Sequence, residues 1–316
     1  MRMKLFVAAL TLGLLGAFHP LVSGQQAGRG GGGNAAPVPT LSTDKTMFWS
    51  AADIQARWKE NEALKRINSR IFNGPTNISA NVRIVLPNDP PQTHETTADL
   101  WIVTEGTATA RTDGLMIQSN GKPDIRNPVE RPVKAGDVLY VPPGVPHHFT
   151  NVQGFRGWLI RFDTLGLVRT KPLTAQLPQP TLATDKTMFW SAADIEGRWK
   201  ENEARKRNNS RIFDGPANIS ANVRIVLPGD EPLTHVDTAD LWLVTAGEAV
   251  ARTDGQLAPG GKSIVNGMSR PVHPGDVLYV PPGVPHHFTD VKGFRAWLIR
   301  FDVEGWRQII AAPAGQ

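Results

Sequence analysis

The sequence contains no cysteine among its 316 residues. This absence excludes disulfide bonds, thiolate metal sites, thiol catalysis and lipid attachment through cysteine, so nitrogen and oxygen atoms must supply the ligands of any metal ion. The excess of positive charge is small, because 34 basic residues are interleaved with 29 acidic ones, which gives a net charge of +5. A nucleic-acid partner would require basic residues clustered on one face, so we expect no such partner.

The first 24 residues differ in composition from the rest of the chain. Arg2 and Lys4 precede an apolar run over 5–18, and the small residues of 22–24 follow it. The run is too short to span a bilayer, and this arrangement is typical of a cleavable secretory signal. We therefore expect a periplasmic or extracellular protein with no membrane attachment after cleavage. An uncleaved N-terminal membrane anchor is the alternative.

The remainder of the chain is an internal duplication. The residues of 43–54 (TDKTMFWSAADI) recur unchanged at 184–195, and the block at 136–150 (GDVLYVPPGVPHHFT) recurs at 275–289. Copies of this length correspond to whole small domains and not to solenoid repeats. The predicted organisation is a signal peptide over 1–24, a flexible leader over 25–39, a first domain over 40–163, a linker over 164–180, a second domain over 181–303 and a tail over 304–316.

Each copy has the pattern of one helix followed by many short strands. Ser50 and Asp53 form a capping-box pattern, which predicts a helix over about 51–66. The alternation of apolar and polar residues over 78–86 predicts a half-buried strand. Further strands, separated by turns rich in glycine and proline, are predicted over 100–104, 107–111, 138–141, 147–152 and 155–162. Many short strands of this kind indicate a β-sandwich or a β-barrel.

Histidines occupy matching positions in the two copies, as the pairs His94 and His235, His147 and His286, and His148 and His287. Residues 136–151 match the second sequence motif of the cupin superfamily at every fixed position, and residues 275–290 match it with Asp290 in the last place. The chain therefore resembles cupins. The resemblance implies an all-β fold of two tandem cupin (jelly-roll) β-barrels, each preceded by a short α-helix.

The first cupin motif is matched in part. In the first copy Gly106 closes the motif, Asp99 stands where the family has Glu, and His94 stands at the second histidine. Gln92 replaces the first histidine of the motif, and Leu233 replaces it in the second copy. Because Asp99 and His94 have opposite strand parity, a bend between them is needed to aim both side chains inward.

The resemblance implies one divalent transition metal ion in each barrel. The implied ligands are Gln92, His94, Asp99 and His147 in the first copy, and His235, Asp240 and His286 in the second. Two imidazoles and a carboxylate suit iron, manganese, copper, zinc or nickel, and the sequence does not choose among these metals. His148 and His287 have the opposite strand parity, so we expect them at the surface or at an interface.

Four further residues are candidates for lining a pocket in the barrel. Trp101 and Trp242 share a strand face with the acidic ligands, although a position in the core is the favoured interpretation for a tryptophan. Arg83 and Arg224 would clamp a substrate carboxylate if they faced the pocket, but the favoured interpretation is an exposed arginine on a sheet. No catalytic residue is assigned.

These observations lead to a functional hypothesis with two alternatives. The hypothesis is a secreted, metal-binding protein with two cupin domains that acts as a metal-dependent dioxygenase or oxidase on a small organic molecule. The alternatives are a non-catalytic protein that binds a sugar or another small molecule, and a cupin isomerase or lyase. The duplication also predicts a pseudo-twofold monomer that resembles a cupin dimer, or a homo-oligomer.

Overall fold

The structure is a computed structural model that describes residues 38–74, 78–163, 182–214 and 219–302. The predicted signal peptide, linker and tail lie outside the described residues, as does most of the leader. The domain boundaries therefore remain a prediction. Within the described part of the chain, no helix has the length and apolar character that crossing a membrane would require.

The two copies contain the same series of elements in the same order. In the first copy these are β1 (Met47–Trp49), α1 (Ala51–Leu64), β2 (Asn68–Asn73), β3 (Ser79–Ile84), β4 (Thr97–Thr112), β5 (Leu115–Ser119), β6 (Lys122–Arg126), β7 (Val129–Lys134), β8 (Val138–Val141) and β9 (His147–Asp163). In the second copy they are β10 (Met188–Trp190), α2 (Ala192–Arg205), β11 (Asn209–Asp214), β12 (Ser220–Ile225), β13 (Thr238–Thr253), β14 (Gln256–Leu257), β15 (Ile264–Val265), β16 (Met268–Val272), β17 (Val277–Val280) and β18 (His286–Asp302). This arrangement confirms the predicted fold class of two β-rich halves, each with one short helix near its start.

Helix α1 begins at the predicted capping box. The Ser50 hydroxyl accepts a hydrogen bond from the Asp53 backbone N–H at 3.1 Å, and the Asp53 carboxylate accepts one from the Ser50 backbone N–H at 3.0 Å. The helix ends at Leu64, slightly earlier than predicted, because Lys65 adopts a left-handed conformation with φ 52°. In that conformation the backbone N–H of Lys65 turns back to the carbonyl groups of the last helical turn and closes the helix.

The strands form two large antiparallel sheets, and each sheet takes one strand from the other copy. One sheet has the order β10-β8-β4-β9-β3-β2, with β7 also paired to β4. The other has the order β1-β17-β13-β18-β12-β11, with β16 also paired to β13. Strand β1 of the first copy therefore pairs with β17 of the second, with Trp49 opposite Val277, and β10 pairs with β8 in the same way. The sequence did not predict this exchange of strands.

Three hydrophobic clusters follow from this topology. One lies inside the barrel of the first copy and one inside the barrel of the second. A third cluster, here called the shared core, contains residues of both copies. Its largest members include Trp49, Trp58, Phe72, Tyr140, Phe162, Trp190, Trp199, Phe213, Tyr279 and Phe301. The two copies thus bury apolar surface against each other as well as within themselves.

Strand β3 is buried on both faces and not half-buried as predicted. Ala80, Val82 and Ile84 belong to the shared core. The opposite face is buried as well, and on it Arg83 lies 6.0 Å from the ring of Trp101 inside the barrel. The prediction was wrong because alternation records chemical character and not exposure: the polar face of β3 lies inside the barrel, and the apolar face packs in the shared core.

The two long strands of each barrel each combine two predicted strands. Strand β4 spans the predictions over 100–104 and 107–111, and strand β9 spans those over 147–152 and 155–162. Their pairing shifts register on either side of Gly106, which has φ 74°. A β-bulge of this kind bends a strand without ending it, so the predicted strands over 100–104 and 107–111 form one bent strand.

Candidate metal centre

The structure brings together two histidines and one aspartate in each barrel. The ligand atoms of His94, Asp99 and His147 lie within 4.8 Å of one another. In this first cluster the Nε2 atoms of both histidines are 3.4 Å from Asp99 Oδ2. The second copy forms the matching cluster from His235, Asp240 and His286, with both separations at 3.5 Å.

The three side chains of the first cluster come from different parts of the chain. Asp99 lies on β4 and is 1% exposed, and its strand neighbour across the sheet is Arg161 on β9. His147 is the first residue of β9, directly after the turn that contains Gly144. His94 lies in the loop before β4, where the chain bends at 95–96. The predicted bend between His94 and Asp99 is therefore present.

Two backbone contacts hold the loop of His94 against the turn before β9. The Gly144 N–H donates to the His94 carbonyl at 2.7 Å, with Gly144 at φ 79°. Gln92 and His147 exchange two backbone hydrogen bonds, each of 2.9 Å. The positive φ of Gly144 explains why the sequence motif over 136–151 has glycine at this position. Gln92 thus has a structural role through its backbone, and its predicted role as a ligand remains untested.

In each cluster a nearby backbone carbonyl group sets the orientation of the buried histidine, His147 or His286. Nδ1 of His147 lies 3.3 Å from the Val145 carbonyl oxygen, and Nδ1 of His286 lies 3.3 Å from that of Val284. Because a carbonyl oxygen only accepts, Nδ1 carries the hydrogen and Nε2 keeps a free lone pair directed at the cluster. Nε2 of His286 is buried and has no hydrogen-bond partner among the described residues.

An arginine that the sequence analysis did not consider completes each cluster. Arg161 donates from Nε to Asp99 Oδ1 at 2.8 Å and from Nη2 to Asp99 Oδ2 at 3.1 Å. The same Nη2 donates to His94 Nε2 at 2.9 Å. Arg300 makes the same three contacts in the second copy, at 2.7, 2.8 and 3.0 Å. The available signal was the repeat WLIRFD at 158–163 and 297–302, in which the arginine has the inward parity.

Burial and the neighbouring arginine shift the pKa of each cluster aspartate in opposite directions. Burial by itself would raise the pKa of Asp99, but the charge of Arg161 and its hydrogen bonds hold this pKa well below its usual value. The pKa of Asp240 is lowered in the same way by Arg300. Burial lowers the pKa of His235 to about 4 against the opposing effect of Asp240, so that this imidazole is neutral near pH 7. Carboxylates that are ionised and imidazoles that are neutral are the forms that bind metal ions.

The donor set of each cluster fits a divalent transition metal. Metal bonds to histidine nitrogen and carboxylate oxygen of about 2.0–2.2 Å place neighbouring ligand atoms roughly 3.0–3.5 Å apart. The observed Nε2 to Oδ2 separations of 3.4 and 3.5 Å lie in this range. The orphaned Nε2 of His286 also needs an electropositive partner. In each cluster, however, the arginine donates hydrogen bonds to atoms of this same donor set, as Arg161 does to His94 and Asp99.

The four candidate pocket residues are all buried in the barrels. Trp101 and Trp242 are each 2% exposed and belong to the barrel cores, as the favoured interpretation had it. Arg83 and Arg224 are 7% and 9% exposed, so the expectation of exposed arginines was wrong. Each lies over its tryptophan, at 6.0 and 5.9 Å from the ring centroid, where the barrel wall covers it.

His148 and His287, which directly follow the buried histidines of the clusters, each form a hydrogen bond with a neighbouring loop. His148 is half-buried, and its Nε2 donates to the Asp89 carbonyl oxygen at 2.8 Å. His287 makes the matching contact with the Asp230 carbonyl oxygen at 2.6 Å. Burial lowers the pKa of His148. These histidines therefore hold loops in place and do not join the clusters.

A polar cavity of about 390 Å³ adjoins the first cluster. Its lining residues include Arg70, Ser79, Thr97 and Arg161. Arg161 thus lines the cavity and also contacts Asp99 and His94 of the cluster. A small molecule in this cavity would meet guanidinium and hydroxyl groups.

Comparisons with known proteins find a family match over part of the chain and a similarity of fold over most of it. A sequence model of the cupin family, described as "Cupin", matches residues 76–163. No curated protein matches the chain. The fold is similar to a salicylate 1,2-dioxygenase from Pseudaminobacter salicylatoxidans, with a TM-score of 0.55 and 14% identity over 88% of this chain and 89% of that one. It is also similar to a cupin 2 conserved barrel domain protein from Leptotrichia buccalis, with a TM-score of 0.50 and 11% identity over 84% of this chain and all of that one.

The family match falls in the first copy, and the second copy repeats its sequence blocks and its strand order. At the identities found, the structural similarity is a similarity of fold. Residues 76–163 thus match the cupin family, and the fold of the chain is similar to that of a cupin barrel protein.

Proposed function

We propose that this protein is a metal-dependent oxidoreductase, a dioxygenase or oxidase, that acts on a small organic molecule. The observation that carries the proposal is the convergence of two imidazole nitrogens and one carboxylate oxygen, at 3.4–3.5 Å, in each barrel. Iron, manganese, copper, zinc and nickel all suit this donor set. We further propose that the protein is exported by its predicted signal peptide, since the first 24 residues have the required composition.

The residues of the first barrel have separate roles under this proposal. His94, Asp99 and His147 would hold the metal ion, which when bound supplies a centre that polarises a substrate and positions it beside a second reactant. The cavity beside Arg161 would hold the substrate, and its guanidinium and hydroxyl groups suit a polar or anionic substituent. The similar dioxygenase acts on salicylate, which is also a small organic acid.

Two other functions stay as candidates because specific observations favour them. Gln92 and Leu233 replace the first histidine of the cupin motif, which favours a protein that binds a small ligand without turnover. A cupin isomerase or lyase would use the same donor set without oxygen. Turnover assays with and without O₂ separate these cases, because an oxygenase or oxidase stops under anaerobic conditions, an isomerase or lyase continues, and a binding protein shows no turnover in either.

Metal content tests the proposal directly. The purified wild-type protein should contain up to one transition metal ion per cluster, measured by mass spectrometry of the metals. His147→Ala should remove the metal of the first copy, because it deletes a buried ligand with a fixed lone pair. His148→Ala is the matched control, since this neighbouring histidine is tied to the Asp89 carbonyl and should leave the metal content unchanged. Less than one ion per chain in the wild type, or no loss in His147→Ala, would contradict the proposal.

A further inference from the structure

The arginine of each cluster stands where it competes with the metal ion. We propose that Arg161 and Arg300 are internal cations that close the two sites in the metal-free protein and leave the aspartates when metal binds. The inference rests on the proposed metal binding and assigns these arginines as positioning residues that set the metal affinity.

The competition follows from the hydrogen bonds of Arg161. An arginine N–H can only donate, so the bond of 2.9 Å from Nη2 uses the lone pair of His94 Nε2. A metal ion bound by His94 would need that same lone pair. Nη2 also donates to Asp99 Oδ2, the oxygen that lies 3.4 Å from both histidine nitrogens. The guanidinium and a metal ion held by all three ligands therefore exclude each other.

Charge balance explains why a cation contacts Asp99. Asp99 is 1% exposed, and an ionised carboxylate in such a place needs a counter-charge. Arg161 supplies that charge in the closed site. A divalent ion would supply more than enough, and it would then repel the guanidinium at short range in a region of low dielectric constant.

The polar cavity beside the first cluster offers space into which the Arg161 guanidinium can rotate. The Arg161 side chain is 25% exposed, and it lies on the wall of the polar cavity, whose lining includes Ser79 and Thr97 and also the cation of Arg70. Rotation toward this cavity would keep the cation hydrated and hydrogen-bonded. The second copy repeats the arrangement of Arg300, Asp240 and His235 with nearly equal distances, so both sites share the same closed form.

Titration with Co²⁺ tests the inference, because its visible absorption reports binding without any assay of turnover. In the double variant Arg161→Gln/Arg300→Gln we expect Co²⁺ affinity to rise by about 10–100-fold over the wild type, the range by which groups that contact metal ligands alter affinity. The matched control is Arg156→Gln/Arg295→Gln. These arginines occupy the corresponding positions on β9 and β18 but pair with glutamates, such as Glu62 and Glu203, outside the clusters. The control should bind Co²⁺ as the wild type does.

Two further measurements keep the inference testable if the glutamine variant folds poorly. Arg161→Lys/Arg300→Lys keeps the charge but loses the paired hydrogen bonds, so its Co²⁺ affinity should lie between those of the wild type and the glutamine variant. Saturating Co²⁺ should also raise the Tm of the glutamine variant more than that of the wild type, since the metal then neutralises an aspartate left without its partner.

The outcomes separate this inference from the proposed function. Equal or weaker Co²⁺ affinity in the glutamine and lysine variants would overturn the competition while leaving metal binding intact. Binding in the variants but not in the wild type would support the competition and overturn the metal-dependent function. Absence of binding in all of these proteins would overturn both.

Discussion

Asp99 and Asp240 determine the chemistry of the two sites, because each is a fully buried carboxylate that must be neutralised. The sequence placed each aspartate near two histidines through the spacing of the cupin motifs. It did not reveal Arg161, which lies on β9 and reaches Asp99 only through the register of β4 and β9. A motif read along one segment cannot report a neighbour supplied by a distant strand.

Gly106 illustrates how a motif residue is required by packing. Its φ is 74°, and a Cβ atom added there would overlap the backbone carbonyl group of Gly154. Gly106→Ala should therefore lower the free energy of unfolding by about 2–5 kcal/mol, from backbone strain and steric overlap together. Gly154→Ala is the control, because its φ is 56° but the added Cβ meets no atom within 4 Å, and it should cost only about 1–2 kcal/mol. Urea unfolding compares them, and equal losses would contradict the steric argument.

At the scale of elements, each helix depends on the other copy. The backbone N–H of Ala51, at the start of α1, donates to Asp276 Oδ1 at 2.6 Å, and Asp276 Oδ2 accepts from the His273 N–H at 2.8 Å. Asp137 does the same for Ala192 at the start of α2. The capping boxes could be predicted from the sequence, whereas these second caps could not, since they join residues 225 and 55 positions apart in different copies.

The cap from the other copy should matter more than the local one. Asp276→Ala leaves two backbone N–H groups without their acceptor and should lower the free energy of unfolding by about 1–3 kcal/mol for each group left buried. Ser50→Ala removes an exposed capping hydroxyl and should cost about 1 kcal/mol. Thermal and urea unfolding measure both. A loss for Asp276→Ala no greater than that for Ser50→Ala would show that the contact between copies adds little.

At the scale of the whole molecule, the two copies share a core as well as strands. Tyr140 of the first copy lies 5.9 Å from the ring of Phe213 of the second, and Tyr279 lies 6.1 Å from Phe72. Both tyrosines are 2% exposed, and they are the only two in the sequence. Tyrosine ionisation therefore reports on the shared core.

Burial raises the pKa of both tyrosine hydroxyls well above the usual value of about 10. Because the folded state favours the neutral form, this contribution to stability is complete below about pH 10 and decreases as the pH rises above it. We expect no tyrosinate absorbance at about pH 10–11 while the far-UV spectrum stays native, and ionisation near pH 10 in urea. A tyrosine that ionises near pH 10 in the native protein would contradict the shared core.

The duplication, the order of one helix before many strands and the capping boxes could be predicted from the sequence, and the resemblance to cupins added the histidines and aspartates of the two clusters. These features depend on local spacing, on chemical character and on repetition, all of which are legible along the chain. The fold was needed to show that β1 and β10 change sheets, that Arg83 is buried and that Arg161 neutralises Asp99. Each of these depends on which distant strands become neighbours, and strand register across a sheet is set by packing between the copies, which no single segment records.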